Sequence, residues 1–303
     1  MALRAEAAAL NAQEHAVALL DLVKAFERVP HHLLAVAAAR KGYPLVLLRL
    51  SLAAYRMQRV IGIEGVFSRL LIATRGITAG SGTATTELRL LLIVVIIVAD
   101  RNWPLAQLAL YVDDLTITAS AAAEVAIRVV AEVVNFIVLH FEQHLLLEVS
   151  ATKSLAVGSR MRIARGITGL MQRRALEPKR AAKGLGAAVG GGRRRSVIVP
   201  SARLKAVKRR LGRLRAFRRA GGNTVAYVRT AATPAVTYAA DVMGVADSRL
   251  QAIRSTLARA ASPAACGKNP DMVYYALDAA GSATDPAVVI HTMAIGAWAC
   301  AWW

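Results

Sequence analysis

The stretch "LALYVDDLTIT", Leu108 to Thr118, decides the fold. Two β-prone runs flank the adjacent acids Asp113 and Asp114, so the pair reads as the two-residue connection of a hairpin. Asp-Asp is acceptable turn chemistry by itself. Like charges set side by side in an apolar hairpin nevertheless repel each other and lose hydration. A solvated turn would compensate them, and so would a bound divalent cation.

Working outward, the run "EHAVALLDL" from Glu14 has the apolar density of a buried strand and delivers Asp21 near its C-terminal end. Pro30 opens the helical stretch "HHLLAVAAARKG", and Pro44 opens a second, "LVLLRLSLAAYRM". Two strands, Arg59–Ile63 and Ser68–Thr74, are expected to join through Glu64 and Gly65. The loop "RGITAGSGT" leads into an apolar helix from Glu87 to Val98. After the hairpin, residues 121–144 read as one long amphipathic helix, and "SLAV" beyond Lys153 as a short strand. Helices alternating with an antiparallel-leaning sheet predict an α+β fold with helices on one face of the sheet. Strand-end acids on neighbouring strands can converge, so Asp21, Asp113 and Asp114 form a candidate site for hard cations such as magnesium. The adjacent His31 and His32 diverge and read as the start of a helix rather than a metal pair.

The chain has 303 residues, 56% of them hydrophobic but only 5% aromatic, because much of the apolar content is alanine. Cys266 and Cys300 form neither a CxxC pair nor a disulfide framework, which points to a reducing, intracellular compartment. Glu6 and the absence of a sustained apolar core argue against an N-terminal signal peptide. The richest apolar run, Leu90–Ala99, is about half of the ~20 residues that span a bilayer. The uncharged tail Pro286–Trp303 is longer, but it contains Pro286 and His291 and little Leu or Ile, so no membrane partner is expected.

The net charge of +20 is concentrated. Between Gly158 and Arg219 stand twenty Lys or Arg and one acid, Glu177, which leaves the rest of the chain close to neutral. Self-repulsion opposes compaction of such a segment, and a polyanion relieves it; nucleic acid is the commonest. The run "GLGAAVGGGRRR" reads as a loop, and "SARLKAVKRRLGRLRAFRRAGG" as a basic helix capped by Ser201 and stopped by Gly221. The expected organisation is a domain over 1–157, a basic glycine-containing connection over 158–200, and a mainly helical region over 201–303.

Several segments, taken in order, resemble the reverse transcriptases of the non-LTR retrotransposon and group II intron type. "LLDLVKAFERVPHHLL" looks like their first palm motif, and "RGITAGSGTATTELRLLL" like the glycine loop and helix that follow. "LALYVDDLTITAS" matches the YxDD hairpin, and "LEVSATKSLAV" resembles the lysine-bearing motif after it. "AAKGLGAAVGGG" and "VTYAADVMGVADSRLQAIR" are similar to later, thumb-side segments. The resemblance runs from about Ala12 to Arg254.

It implies a polymerase palm over 1–157 with residual fingers, followed by a thumb-like region, and RNA-directed DNA synthesis on two magnesium or manganese ions. Asp21, Asp113 and Asp114 would hold the metals, and Lys153 would neutralise or protonate the pyrophosphate. Phe26 would pack against the sugar and exclude a 2′-hydroxyl. Gly76, Gly80 and Tyr111 would lie against the substrate. Arg203, Lys205, Lys208, Arg209, Arg210 and Arg213 would contact the phosphates of an RNA template and DNA primer extended with dNTPs.

The chain also departs from that pattern. Ala79 stands where a glutamine is usual, Ala84 and Thr85 where a small residue and proline are, and Glu27 where Asp is. About twenty residues precede Asp21, fewer than a fingers region needs. The alternative expectation is therefore an inactive remnant that binds nucleic acid through its basic half.

Overall fold

The computed structural model describes residues 2–190, 195–262, 269–277 and 284–302. Cys266 and residues 191–194 of the glycine–arginine run lie outside them. The chain forms two compact units, one over residues 3–180 and the other over residues 181–190 together with the described chain from 195 onward.

In the first unit the elements run α1 (Ala2–Leu10), β1 (Glu14–Leu20), α2 (Ala25–Arg28), α3 (His31–Arg40), α4 (Leu45–Tyr55), β2 (Gly62–Ile63) and β3 (Val66–Phe67). There follow α5 (Ala84–Asn102), β4 (Gln107–Tyr111), β5 (Asp114–Ala121), α6 (Ala123–Gln143), β6 (Leu155–Gly158), α7 (Met161–Gly169) and β7 (Glu177–Lys179). Five strands make one sheet in the order β4-β5-β1-β6-β7. Every pairing is antiparallel except β6–β7. The fold is α+β, with an antiparallel-dominated sheet.

Alternation along the strands sends Ala16, Ala18 and Leu20 of β1, with Leu115, Ile117 and Ala119 of β5, to one face. That face carries the core. Helix α6 packs on it because Val130, Val134, Ile137, Val138 and Phe141 recur at helical spacing and are all buried. Leu88, Leu92, Val95 and Ala99 of α5 join the same cluster. Each fully buried Leu, Ile, Val or Phe is worth about 1.5–3 kcal/mol, so this single cluster dominates the unit's stability. Of the expected strands, 59–63 shrinks to Gly62–Ile63, while its partner is Val66–Phe67, ahead of the expected 68–74, and the apolar side chains of both face solvent. The Glu64–Gly65 turn, hydrogen bonds between Ile61 and Ser68 and an isolated Arg59–Leu71 bridge hold the pair.

The second unit begins with β8 (Ala181–Gly184) and β9 (Ala187–Gly190), an antiparallel hairpin where the glycines read as a loop. It continues with α8 (Ile198–Arg219), α9 (Thr224–Tyr227), a π-helical turn at Val228–Ala232, α10 (Thr233–Thr237), α11 (Ala240–Met243), α12 (Asp247–Ala261), α13 (Pro270–Leu277) and α14 (Pro286–Trp302). The basic helix starts three residues before the expected cap. Pro200 is tolerated in a first turn, where its missing N–H has no helical partner, and Ser201 N–H already donates to the Val197 carbonyl. No helix among the described residues is long and apolar enough to cross a membrane.

Candidate active site

Asp21 and Asp114 meet at one end of the sheet, on the face opposite the core. The register Leu20↔Leu115 closes the β1–β5 ladder, and one further step along both strands sets Asp21 beside Asp114. Leu20 and Leu115 point into the core, so the next residue on each strand points away from it. Asp21 is then tied by its backbone to the 148–154 segment. Ser150 N–H donates to the Asp21 carbonyl at 2.8 Å, and Asp21 N–H donates to Ser154 Oγ at 3.2 Å. One residue later Leu22 bridges Val149.

The hairpin tip differs by one residue from the sequence expectation. Tyr111 pairs with Asp114, so the two turn residues are Val112 and Asp113, and Asp114 opens β5. Val112 takes φ 59°, a left-handed conformation that its β-branched side chain disfavours. Such a conformation costs on the order of 1–3 kcal/mol and persists only where the surroundings over-determine it. Here the β4–β5 ladder does so, and the result is to hold Asp114 within the strand next to Asp21.

Asp114 carries the electrostatic mark of its neighbours. Burial raises the Asp114 carboxyl above the usual carboxylate range, Asp113 and Asp21 raise it further, and Lys153 works in the opposite direction. Lys153 Nζ lies 3.3 Å from Asp21 Oδ2. That oxygen is itself buried and accepts no hydrogen bond. The lysine side chain is 69% exposed, so the attraction is screened and leaves the buried oxygen under-compensated. A carboxylate oxygen in this condition suits a hard cation. Among the described residues no group of three or more His, Cys, Asp or Glu is placed to hold a metal ion. Magnesium does not need such a group, because it binds through one or two carboxylates and keeps water and substrate phosphates in its shell. Asp21 and Asp114 offer the hard oxygen donors that such an ion takes.

Phe26 sits on α2, partly buried against the core cluster. The glycine loop docks on that helix: Gly76 N–H donates to the Val29 carbonyl and Ile77 N–H to the Phe26 carbonyl, both at 2.8 Å. Gly76 has φ +93°, and a Cβ there would stand 2.9 Å from the Glu27 carbonyl oxygen. Its close backbone approach is thus to α2. Gly80, at φ +89°, faces open space. Tyr111 is exposed at the end of β4.

His31, which the sequence offered only as a helix start, holds this loop, and Glu87 ties α5 to α4. His31 Nε2 lies 2.7 Å from the Gly76 carbonyl oxygen, and Glu87 Oε2 accepts from the Tyr55 hydroxyl at 2.8 Å. Glu87 is fully buried at the start of α5, with Oε1 unpartnered. The signal for Glu87 was an acid at a core position of a helix whose neighbouring positions are leucine.

In the second unit the exposed cations Lys205, Lys208, Arg209, Arg210 and Arg213 project from α8. Arg210 also donates to the Tyr227 hydroxyl at 3.2 Å. Arg203 does not belong with them. Its guanidinium donates to the Tyr238 and Gly186 carbonyls and lies over the Tyr238 ring, 5.0 Å from the centroid.

No family model matches the chain, and no curated protein matches it. Among solved structures it is similar to apo telomerase from Candida tropicalis truncated from its C-terminal domain. The TM-score is 0.43, with 10% sequence identity over 62% of this chain. The chain spans 37% of that structure's length.

Proposed function

We propose that the first unit is a polymerase palm of reverse-transcriptase type, which transfers deoxynucleotides to a primer 3′-hydroxyl on an RNA or DNA template. The observation that carries the reading is the convergence of Asp21, Asp113, Asp114 and Lys153 at one sheet end, with Asp21 Oδ2 buried, accepting no hydrogen bond and faced by the exposed Lys153 ammonium. Asp21, Asp113 and Asp114 would hold magnesium or manganese. When bound, two such ions acidify the attacking hydroxyl and stabilise charge on the leaving oxygens.

The chain's own residues supply the rest. The ladder bonds of β1 and β5 fix the spacing of Asp21 and Asp114, and the Val112–Asp113 turn presents Asp113 at the tip. Lys153 Nζ holds a proton within reach of the acids and would give it to the departing pyrophosphate. Phe26, set by α2 and the docked loop, would border the sugar. In the second unit, the exposed cations of α8 would follow the nucleic-acid backbone, with affinity that falls steeply with salt.

Primer extension with magnesium and dNTPs on an RNA template tests the catalytic assignment. Asp113→Asn is expected to lower incorporation by about 10²–10³-fold, the usual effect of removing one electrostatic stabiliser. Equal incorporation by both proteins rules the assignment out. A second reading, nucleic-acid binding without catalysis, is favoured by Ala79 in the glycine loop and by the exposed row on α8. It predicts no incorporation by either protein and salt-sensitive binding that is indifferent to Asp113.

A further inference from the structure

Within the second unit, α8 and the start of α12 border an open cavity of about 520 Å³. Three cations line it, Lys205, Lys208 and Arg249, with the hydroxyls of Ser201 and Ser248, and no acid is among its lining residues. Arg249 is oriented, because its guanidinium donates to Ser201 Oγ at 3.0 Å. Lys205 and Lys208 have no acidic partner among the described residues. Val197, Leu204 and Ala252 give the same cavity an apolar wall. Three like charges line the cavity with no acid among its lining residues, and an anion seated there offsets their mutual repulsion.

The cavity's shape and charge narrow the anion. A continuous phosphodiester backbone presents single charges along a convex line and suits Arg209, Arg210 and Arg213, the exposed α8 cations outside the cavity. A concave pocket takes a protruding group. A phosphomonoester carries about −1.5 to −2 at neutral pH and offers three acceptor oxygens, a closer match to three cations and two hydroxyls than a diester. The apolar wall suits the nucleoside attached to it, and the volume lies within the range of small-ligand pockets.

We propose that this cavity binds a nucleoside 5′-phosphomonoester, supplied by the phosphorylated end of a nucleic-acid strand or by a free mononucleotide. The strand source rests on the reading of α8 as nucleic-acid-facing; the ligand chemistry rests on the cavity alone. Occupied by a strand end, the pocket sets where the strand stops on the protein, which the cations outside it cannot do.

Fluorescence anisotropy with one oligonucleotide, 5′-phosphorylated or 5′-hydroxyl, tests the proposal, with deoxyadenosine 5′-monophosphate as competitor. The wild type is expected to prefer the phosphorylated strand by about tenfold, the worth of one charge-assisted hydrogen bond. Arg249→Ala, and separately Lys205→Ala with Lys208→Ala, should each bring that ratio to about one. The ratio is read within each variant, and circular dichroism confirms its helix content. Tight but equal binding of both strands overturns the proposal and leaves the backbone role of α8 standing. Failure to bind either strand, with Arg249-dependent binding of the mononucleotide, supports the pocket and overturns the reading of α8. Binding of none of the three overturns both.

Discussion

The two units handle charge in opposite ways. The first places a few acids where hydration is poor and fixes them through strand pairing, backbone hydrogen bonds and a continuous core behind the sheet. The second carries many cations on a helix whose exposed face is solvated, over several small apolar clusters. Acids forced together must be held there by the fold, whereas cations on a helix surface need little support until a polyanion arrives. A site for chemistry and a surface for affinity therefore make different demands on packing.

Truncation of each core gives the largest test of that contrast. Phe141→Ala removes a fully buried ring from the cluster behind the acids and should cost about 3–5 kcal/mol. Leu257→Ala, in a smaller cluster of the second unit, should cost nearer ~2 kcal/mol, at the low end for such changes, because a small cluster can relax around the gap. Denaturant unfolding of both variants measures the difference, and equal losses would remove the distinction between the cores.

Acid sensitivity should also belong to the first unit. His15 lies on β1, 2% exposed, with Nδ1 2.8 Å from Ser120 Oγ, and burial pushes its imidazole down to about 4. The folded value is below the unfolded one, so the neutral ring is tolerated above pH 6.5 and the unfolded chain gains the proton first as pH falls. Stability should drop between pH 6.5 and 4 by about 3 kcal/mol from this group. His15→Gln should flatten that part of the stability–pH curve, and an unchanged slope would exclude His15 as its cause.

The two glycines of the docked loop separate a packing requirement from a conformational one. Both have positive φ, but only Gly76 meets backbone where a Cβ would go. Gly76→Ala should cost about 2–3 kcal/mol and Gly80→Ala about 1 kcal/mol, compared by thermal unfolding.

How far the sequence could be read follows the same division. The β1 run, the hairpin, α6 and the strand after Lys153 were legible because apolar periodicity over a shared core specifies them. The approach of Asp21 to Asp114 followed from strand ends, but the turn was placed one residue late. Asp-Asp has better turn propensity than Val-Asp, and only the β4–β5 register shows that Val112 takes the strained position. Glu87 and His31 act through tertiary contacts that no local pattern carries. The β8–β9 hairpin was hidden by its glycines, and α8 begins ahead of Ser201, read as its cap, because Pro200 is accommodated in the first turn.

Arg203 marks the sharpest limit of that reading, since in sequence it is one more cation of a basic helix. Its guanidinium is occupied by two carbonyls and a tyrosine ring, whereas Arg209, six residues on, is exposed to solvent. A side chain that already donates to protein carbonyls displaces no counterions from a phosphate, so it contributes little to the salt dependence of binding. Arg209→Ala should lower the slope of log affinity against log salt by about 1, with weaker binding across all sequences. Arg203→Ala should leave that slope nearly unchanged, yet lower the stability of its unit by about 1–2 kcal/mol through the carbonyls left unpaired. Titrations at several salt concentrations, alongside unfolding of the same two variants, separate a cation that binds from one that builds. If both substitutions change the slope equally, charge alone governs the helix and its internal bonds do not matter for binding.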